Sequence, residues 1–232
     1  MKKAPIDKNL ERVKRKIDET CSRIGRDSLT VMLVAVSKTK PVSYIQEALS
    51  CGQIHFGENR MQELEDKIEE LDGKGISWHM IGNLQTNKIK LIANKVKWVH
   101  SIEKLKYLKE FEKRANGNKI EALIQVNISG EKQKGGVEPE DLAKILEAST
   151  GFENVTVRGL MGMATFTDDP EDVRGEFKLL KKLFDEHQKY NSGSVQLEQL
   201  SMGMSNDLEV AIEEGATMVR VGSDIFGARN YD

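Results

Sequence analysis

The chain has 232 residues, 38% of them apolar and 31% charged, the balance of an ordinary globular protein, which excludes a disordered chain. Its 35 Lys and Arg stand against 37 Asp and Glu, a formal charge of −2, too even for a protein that holds nucleic acid chiefly through phosphate contacts, so a small-molecule partner is expected. The longest apolar run, Val31 to Val36, is far shorter than the roughly 20 residues that cross a bilayer, and MKKAPIDKNLERVKRK lacks the apolar core of a signal peptide, so a cytoplasmic protein without membrane contact is expected.

From Ile6 to about Arg26, Leu10, Val13, Ile17, Cys21 and Ile24 recur at steps of three and four, the stripe of an amphipathic helix. LTVMLVAVS, Leu29 to Ser37, is then a β-branched apolar run without polar alternation, the pattern of a parallel strand covered on both faces. Pro41 opens a helix in which Ile45, Ala48 and Leu49 share a face and which Gly52 closes. Cys21 and Cys51 fall in helical stretches without CxxC spacing, so they read as buried or idle thiols and no disulfide is expected.

The strand-helix unit then recurs. Strands are expected at Ile54–Gly57, Trp78–Ile81, Trp98–Ser101, Ile120–Ile128, Val155–Met163, Leu197–Ser201 and Thr217–Val221. Between them, helical periodicity occupies Met61–Leu71, Asn87–Ala93, Glu103–Arg114, Pro139–Ala148, Pro170–Tyr190 and Asp207–Glu214. About eight alternations after an additional N-terminal helix predict a single (β/α)₈ TIM barrel over residues 1–232, since no Pro-rich or Gly/Ser-rich linker interrupts them. The active site of such a barrel lies at the C-terminal ends of its strands.

At the end of the first strand stands Ser37-Lys38-Thr39-Lys40. Alternation puts Met32, Val34, Val36 and Lys38 on one face, and the apolar company of the first three makes that the barrel interior. A partly desolvated ammonium there has a lowered pKa and an accessible neutral amine, the requirement for a Schiff base with an aldehyde; the plain alternative is that Lys38 and Lys40 are solvated loop lysines. At the other end of the chain, Gly222-Ser223 follows the last strand and Ser201-Met202-Gly203-Met204-Ser205 the seventh, with Asn206-Asp207 placed to cap the next helix. The loops after strands seven and eight are where barrels frequently bind phosphate, and a hydroxyl at Ser201 or Ser205 with amides near Gly203 and Gly222 would form a cup; the alternative is that these residues merely end strands. Arg220 shares parity with Met218 and Gly222, placing its guanidinium to bind phosphate or donate to a ring nitrogen, or else to form a surface ion pair.

An amine for an aldehyde, a cup for a phosphate and a donor for a ring nitrogen together describe pyridoxal 5′-phosphate. The blocks VAVSKTKP, HFGENRMQE, WHMIGNLQTNK, EKQKGG, RGLMGMAT and SMGMSNDLEVAIEEGATMVRVGSDIFGAR, in that order from about Asp7 to Tyr231, closely resemble the YggS/PROSC family of pyridoxal phosphate homeostasis proteins. That resemblance implies the alanine racemase-like barrel called fold type III. It implies that Lys38 forms the Schiff base, that Ser201, Gly222 and Ser223 bind phosphate, and that Arg220 faces the pyridine nitrogen. It further implies that Asn59, Met161 and Met202 line the cofactor pocket, with His79 matching the histidine of the third-strand block. Arg60, Met61 and Met80 depart from the tyrosine, valine and phenylalanine of many relatives, which touches the rim of the pocket and not its anchors.

In HMIGNLQTNK, Thr86 is placed to cap a helix whose first turn presents Gln85, Asn87 and Lys88, either an anion or partner cluster or an ordinary loop. EKQKGG carries Lys132 and Lys134, read as solvated lysines or as part of a lid or transfer loop. KLKYLKEFEKR reads as a solvated helix face over Leu105, Leu108 and Phe111. The resemblance implies a non-catalytic carrier that maintains pyridoxal phosphate and amino-acid homeostasis and hands cofactor to PLP-dependent apoenzymes, and a monomer is expected. The alternatives are a PLP-dependent racemase or decarboxylase and, without the resemblance, a Schiff-base aldolase. The chain ends a few residues after its last strand, so the second β-domain that completes an alanine racemase site is not expected.

Overall fold

The β-branched run after the N-terminal helix forms strand β1 (Met32–Val36), and seven further strands follow at nearly the expected places: β2 (His55–Glu58), β3 (Ser77–Met80), β4 (Trp98–Ile102), β5 (Ile120–Val126), β6 (Val155–Gly162), β7 (Val195–Ser201) and β8 (Met218–Val221). In the computed structural model, which describes residues 5–131 and 135–228, each strand pairs in parallel with the next, and β8 returns to β1 to close the barrel. The register Met32↔Met218, Val34↔Arg220 brings the two strands of greatest sequence separation side by side. Lys38 and Gly222, which follow them, thereby share one mouth.

The helices are α1 (Ile6–Arg23), α2 (Val42–Ser50), α3 (Met61–Glu70), α4 (Leu105–Arg114), α5 (Leu142–Glu147), α6 (Arg174–Glu186), α7 (Leu208–Glu213) and α8 (Ser223–Phe226). Between β3 and β4 the expected helix is a 3₁₀ turn at Thr86–Leu91, and the Pro139 and Pro170 segments each begin as 3₁₀ turns before α5 and α6. Two boundaries differ for identifiable reasons. Helix α1 ends at Arg23, which leaves Ile24 past the buried stripe and 41% exposed. The Asp27 side chain accepts from Leu29 N and caps a 3₁₀ turn over Ser28–Thr30, so the strand starts at Met32 and Leu29 is 92% exposed.

The apolar core is split by the sheet. The outer layer, between barrel and helices, holds Phe56, Leu64, Phe111, Phe177 and Phe226, all essentially fully buried. The inner cluster is small: Trp98, Leu123, Met161 and Met218, with Met32 and Met163 packed against it. Above it the lumen turns polar, with His79, His100, Ser201 and Arg220 buried where branched apolar residues usually fill such a barrel. Helix α1 packs across α2, α7 and α8; Asn9 Nδ2 donates to the Ile225 carbonyl at 3.0 Å, bracing the segment that carries Ser223. Cys21 is buried in α1, where burial pushes its thiol pKa up, and Cys51 follows α2. Among the described residues no helix is long and apolar enough to cross a membrane.

Candidate functional site

A cavity of about 410 Å³ opens at the C-terminal ends of the strands, within the size range of small-molecule sites. Its walls include Lys38, Asn59, Arg220, Gly222 and Ser223, five of the residues singled out from sequence, together with Val36, Ile81 and the segments Thr165–Thr167 and Met204–Asp207. The alternation argued for β1 holds: Met32 packs on the inner cluster, Val34 is fully buried, Val36 lines the cavity, and the next inward residue is the half-buried Lys38. Lys40 also borders the cavity, but its Nζ donates to the carbonyls of Gly227 at 3.1 Å and Ala228 at 2.9 Å.

The turn bearing Lys38 is clamped from behind by residues that the sequence reading missed. Lys67 Nζ donates to the Ser37 carbonyl (2.9 Å), Glu58 Oε1 (2.8 Å) and Glu63 Oε1 (2.7 Å), which uses the three donors of an ammonium. Ser37 Oγ donates to Glu58 Oε1 at 2.6 Å, and Thr39 N donates to Glu63 Oε1 at 2.6 Å. Thr39 has φ +62°, a conformation disfavoured for a β-branched residue, and its amide is held there by α3. Burial pushes the Glu58 carboxyl up to about 7 against the opposing pull of Lys67 and Ser37. Its Oε2 is buried with no hydrogen-bond partner among the described residues. Glu63 and Lys67 at i, i+4 on a predicted helix were the available signal. Only the fold brings Glu58 beneath them.

Asn59 is seated by a close approach. A Cβ on Gly82 would stand 2.1 Å from the Asn59 carbonyl oxygen, so only glycine lets the loop after β3 pass there. Across the mouth, Ser223 Oγ donates to Ser205 Oγ at 3.1 Å, joining the two loops in which a phosphate cup was expected. Gly203 takes φ +92°, its carbonyl accepts from Arg220 N at 2.9 Å, and a Cβ there would meet Ala211 Cβ at 2.6 Å. Asp207 Oδ1 accepts from Met204 N within this loop and so does not cap α7, while Asn206 Nδ2 donates to the Thr167 carbonyl at 2.9 Å.

Arg220 is 5% exposed; Nη1 donates to Ser201 Oγ at 2.6 Å and Nη2 to the Gly162 carbonyl at 3.0 Å. Burial lowers its pKa to about 10, partly opposed by Asp207, so it stays a cation at neutral pH. Ser201 is therefore beneath the rim, engaged with Arg220 and His100, and Ser205 is the seventh-strand hydroxyl at the mouth. Met161 lies in the inner cluster below the cavity, and Met202, one residue out of phase with Ser201, points into the outer layer. His79 is fully buried in the lumen, between His55 and His100.

Thr86 begins its 3₁₀ turn without capping it, Gln85 holding the N-cap position with no side-chain bond, and none of Gln85, Thr86, Asn87 and Lys88 borders the cavity. Met61 and Met80 are buried in the outer layer, while Arg60 is exposed. Lys132 and Lys134 lie outside the described residues. No group of three or more His, Cys, Asp or Glu placed to hold a metal ion exists among the described residues.

Comparison with known proteins gives a consistent picture. A family model described as alanine racemase, N-terminal domain, matches residues 8–230. A pyridoxal phosphate homeostasis protein of Aquifex aeolicus (strain VF5) is 47% identical over 225 residues, covering 96% of this chain and 97% of the relative. An unknown protein from Bifidobacterium adolescentis superimposes with a TM-score of 0.89 at 31% identity, over 95% of this chain and 94% of that one. PipY of Synechococcus elongatus PCC7942, solved with PLP bound, superimposes with a TM-score of 0.80 at 33% identity, over 91% of this chain and all of that one. Matches of this extent include both the β1 lysine turn and the β8 loop, and the chain belongs to the family of pyridoxal phosphate homeostasis proteins, built on the alanine racemase N-terminal barrel.

Proposed function

We propose that this chain binds pyridoxal 5′-phosphate in the cavity at the strand C-termini and maintains its supply, holding it reversibly without turning over a substrate. The observation that carries this reading is that one cavity collects the half-buried amine of Lys38, the joined hydroxyls of Ser205 and Ser223, and the buried cation of Arg220. These residues fit the group. The cofactor supplies an aldehyde that condenses reversibly with an amine; Lys38 is that amine. Ser223, Ser205 and the backbone at Gly222 would hold the phosphate, and Asn59 would stand beside the ring. Arg220 would donate at the ring nitrogen and, having no acceptor atom, would leave that nitrogen unprotonated, which would weaken the ring as an electron sink. A weak electron sink is in keeping with a carrier, although a racemase built on this barrel tolerates such an arginine when a further domain completes its site. Pyridoxal phosphate bound in the PipY structure and the homeostasis function for which the relatives are named support the reading. A cytoplasmic monomer that passes cofactor to PLP-dependent apoenzymes completes it.

The test is borohydride reduction of protein loaded with pyridoxal phosphate, followed by peptide mass spectrometry. A single pyridoxyl group on Lys38 is the expected result. Attachment at Lys40 overturns the assignment of the amine, and failure to take up pyridoxal phosphate overturns the function.

A further inference from the structure

The lumen below the cavity contains a continuous line of polar side chains from five strands, β2, β3, β4, β7 and β8. His55 Nδ1 and His79 Nε2 are 3.0 Å apart, His79 Nδ1 and His100 Nε2 2.8 Å, and His100 Nδ1 and Ser201 Oγ 2.9 Å; Arg220 Nη1 reaches the same Oγ at 2.6 Å. His79 also stacks on Trp98 with centroids 5.7 Å apart and planes 5° from parallel, which fixes its ring. The line thus runs from the half-buried start of β2, at the opposite mouth of the barrel, to the wall of the cavity.

Its direction follows from donor chemistry. A guanidinium only donates, so Ser201 Oγ accepts from Arg220 and has one hydrogen of its own. Pointing that hydrogen at His100 makes His100 Nδ1 an acceptor. A neutral His100 then carries its hydrogen on Nε2 and donates to His79 Nδ1, and by the same rule His79 donates from Nε2 to His55 Nδ1. In the reverse arrangement His100 would turn an N–H toward a serine already facing a cation, and the Ser201 hydrogen would have no acceptor in the line. The forward arrangement presents each lone pair toward Arg220, the favourable orientation of dipoles beside a buried charge. A second cation is disfavoured there: burial pushes His79 and His100 well below the usual histidine range, and the charge of Arg220 adds to the effect on His100. Asp207 is the acid that faces Arg220.

We propose that His55, His79 and His100 form a one-way hydrogen-bond relay, each ring protonated at Nε2, that fixes Ser201 as the acceptor of Arg220 and so aims Arg220 at the ring end of the pocket. The aiming rests on the reading that the cavity takes pyridoxal phosphate; the ring tautomers do not. All three histidines are positioning residues, acting through Ser201 and Arg220.

Two measurements on the full-length protein test it. The first is a long-range ¹H–¹⁵N spectrum of histidine-labelled protein without cofactor, at alkaline pH. The fourth histidine is an internal reference: His187 Nδ1 lies 2.7 Å from the Leu183 carbonyl, which only accepts, so this ring carries its hydrogen on Nδ1. The expected result is three Nε2–H rings and one Nδ1–H ring; a second Nδ1–H ring, or a doubly protonated buried one, overturns the relay. The second is titration with pyridoxal phosphate, read by absorbance. Ser201→Ala and His100→Phe should each weaken binding about fivefold, the effect of one hydrogen bond, whereas His100→Gln, which replaces both the acceptor and the donor, should stay within about twofold of the parent. Should His100→Phe fail to fold, the contrast of Ser201→Ala with His100→Gln carries the same information. Parent-like affinity in Ser201→Ala and His100→Phe overturns the aiming of Arg220. A parent that takes up no cofactor overturns the pocket reading and leaves the tautomer result to stand alone.

Discussion

Replacing Glu58 by glutamine isolates the cluster behind Lys38. The carboxyl is fully buried and its pKa is raised from 4.5 to about 7, chiefly by burial. An acid with a raised folded pKa contributes its full stability below the unfolded pKa, and loses it as pH climbs through the folded one, because the unfolded chain releases the proton first. The gap between 4.5 and about 7 corresponds to roughly 3 kcal/mol in all, of which about 2.5 kcal/mol is lost between pH 5 and 8. Glutamine does not titrate. It still offers an acceptor to Ser37 and Lys67, and whatever it loses in those contacts displaces its stability curve without tilting it. Urea unfolding of parent and Glu58→Gln at several pH values should therefore show their difference moving toward the variant by about 2.5 kcal/mol from pH 5 to 8, or roughly 5–10 °C in melting temperature. Titrating groups that do not interact with Glu58 cancel in that difference, which leaves Glu58 with its neighbours Glu63 and Lys67. Parallel curves across this range would refute the buried, pH-responsive carboxylate and with it the account of what holds the lysine turn.

Three further expectations follow from the site. Ser223→Asp sets a carboxylate beside the proposed phosphate position, where screened repulsion is on the order of a few kcal/mol; it should keep its circular dichroism and melting behaviour but lose uptake of pyridoxal phosphate, and undiminished uptake would place the cup elsewhere. Gly82→Ala forces a Cβ to 2.1 Å from the Asn59 carbonyl, backbone against backbone, and should lower unfolding stability by about 3 kcal/mol, so a parent-like denaturation midpoint would contradict the close approach. Loaded protein incubated with a panel of L-amino acids in deuterated water should show negligible Cα exchange, inversion or carbon dioxide release; turnover of any one at about 1 per second or faster would restore the enzyme reading.

Much of this molecule is legible in its sequence because the relevant signals are local. Periods of 2 and 3.6 belong to single strands and helices, so the eight strands, the stripe of α1 and the inward parity of Lys38 and Arg220 can be read without knowing what packs against them. The loops after β7 and β8 are likewise announced by their own glycines and serines. Boundaries failed where a side chain competed with the pattern, as Asp27 does ahead of β1. What the tertiary structure alone decided depends on barrel closure and register. Loop composition alone leaves Ser201 and Ser205 interchangeable as cup hydroxyls, and the resemblance points to Ser201; the fold sets Ser201 against Arg220 and Ser205 beside Ser223. His55, His79 and His100 lie on successive strands, and nothing in their spacing marks them as partners; the stagger of β2, β3 and β4 sets their rings in line. Lys67 could be paired with Glu63 from helical spacing, but its contact with Glu58 depends on α3 folding back over β2. Side chains brought together by packing rather than by chain periodicity leave no local trace, and the buried polar groups of this barrel are of that kind.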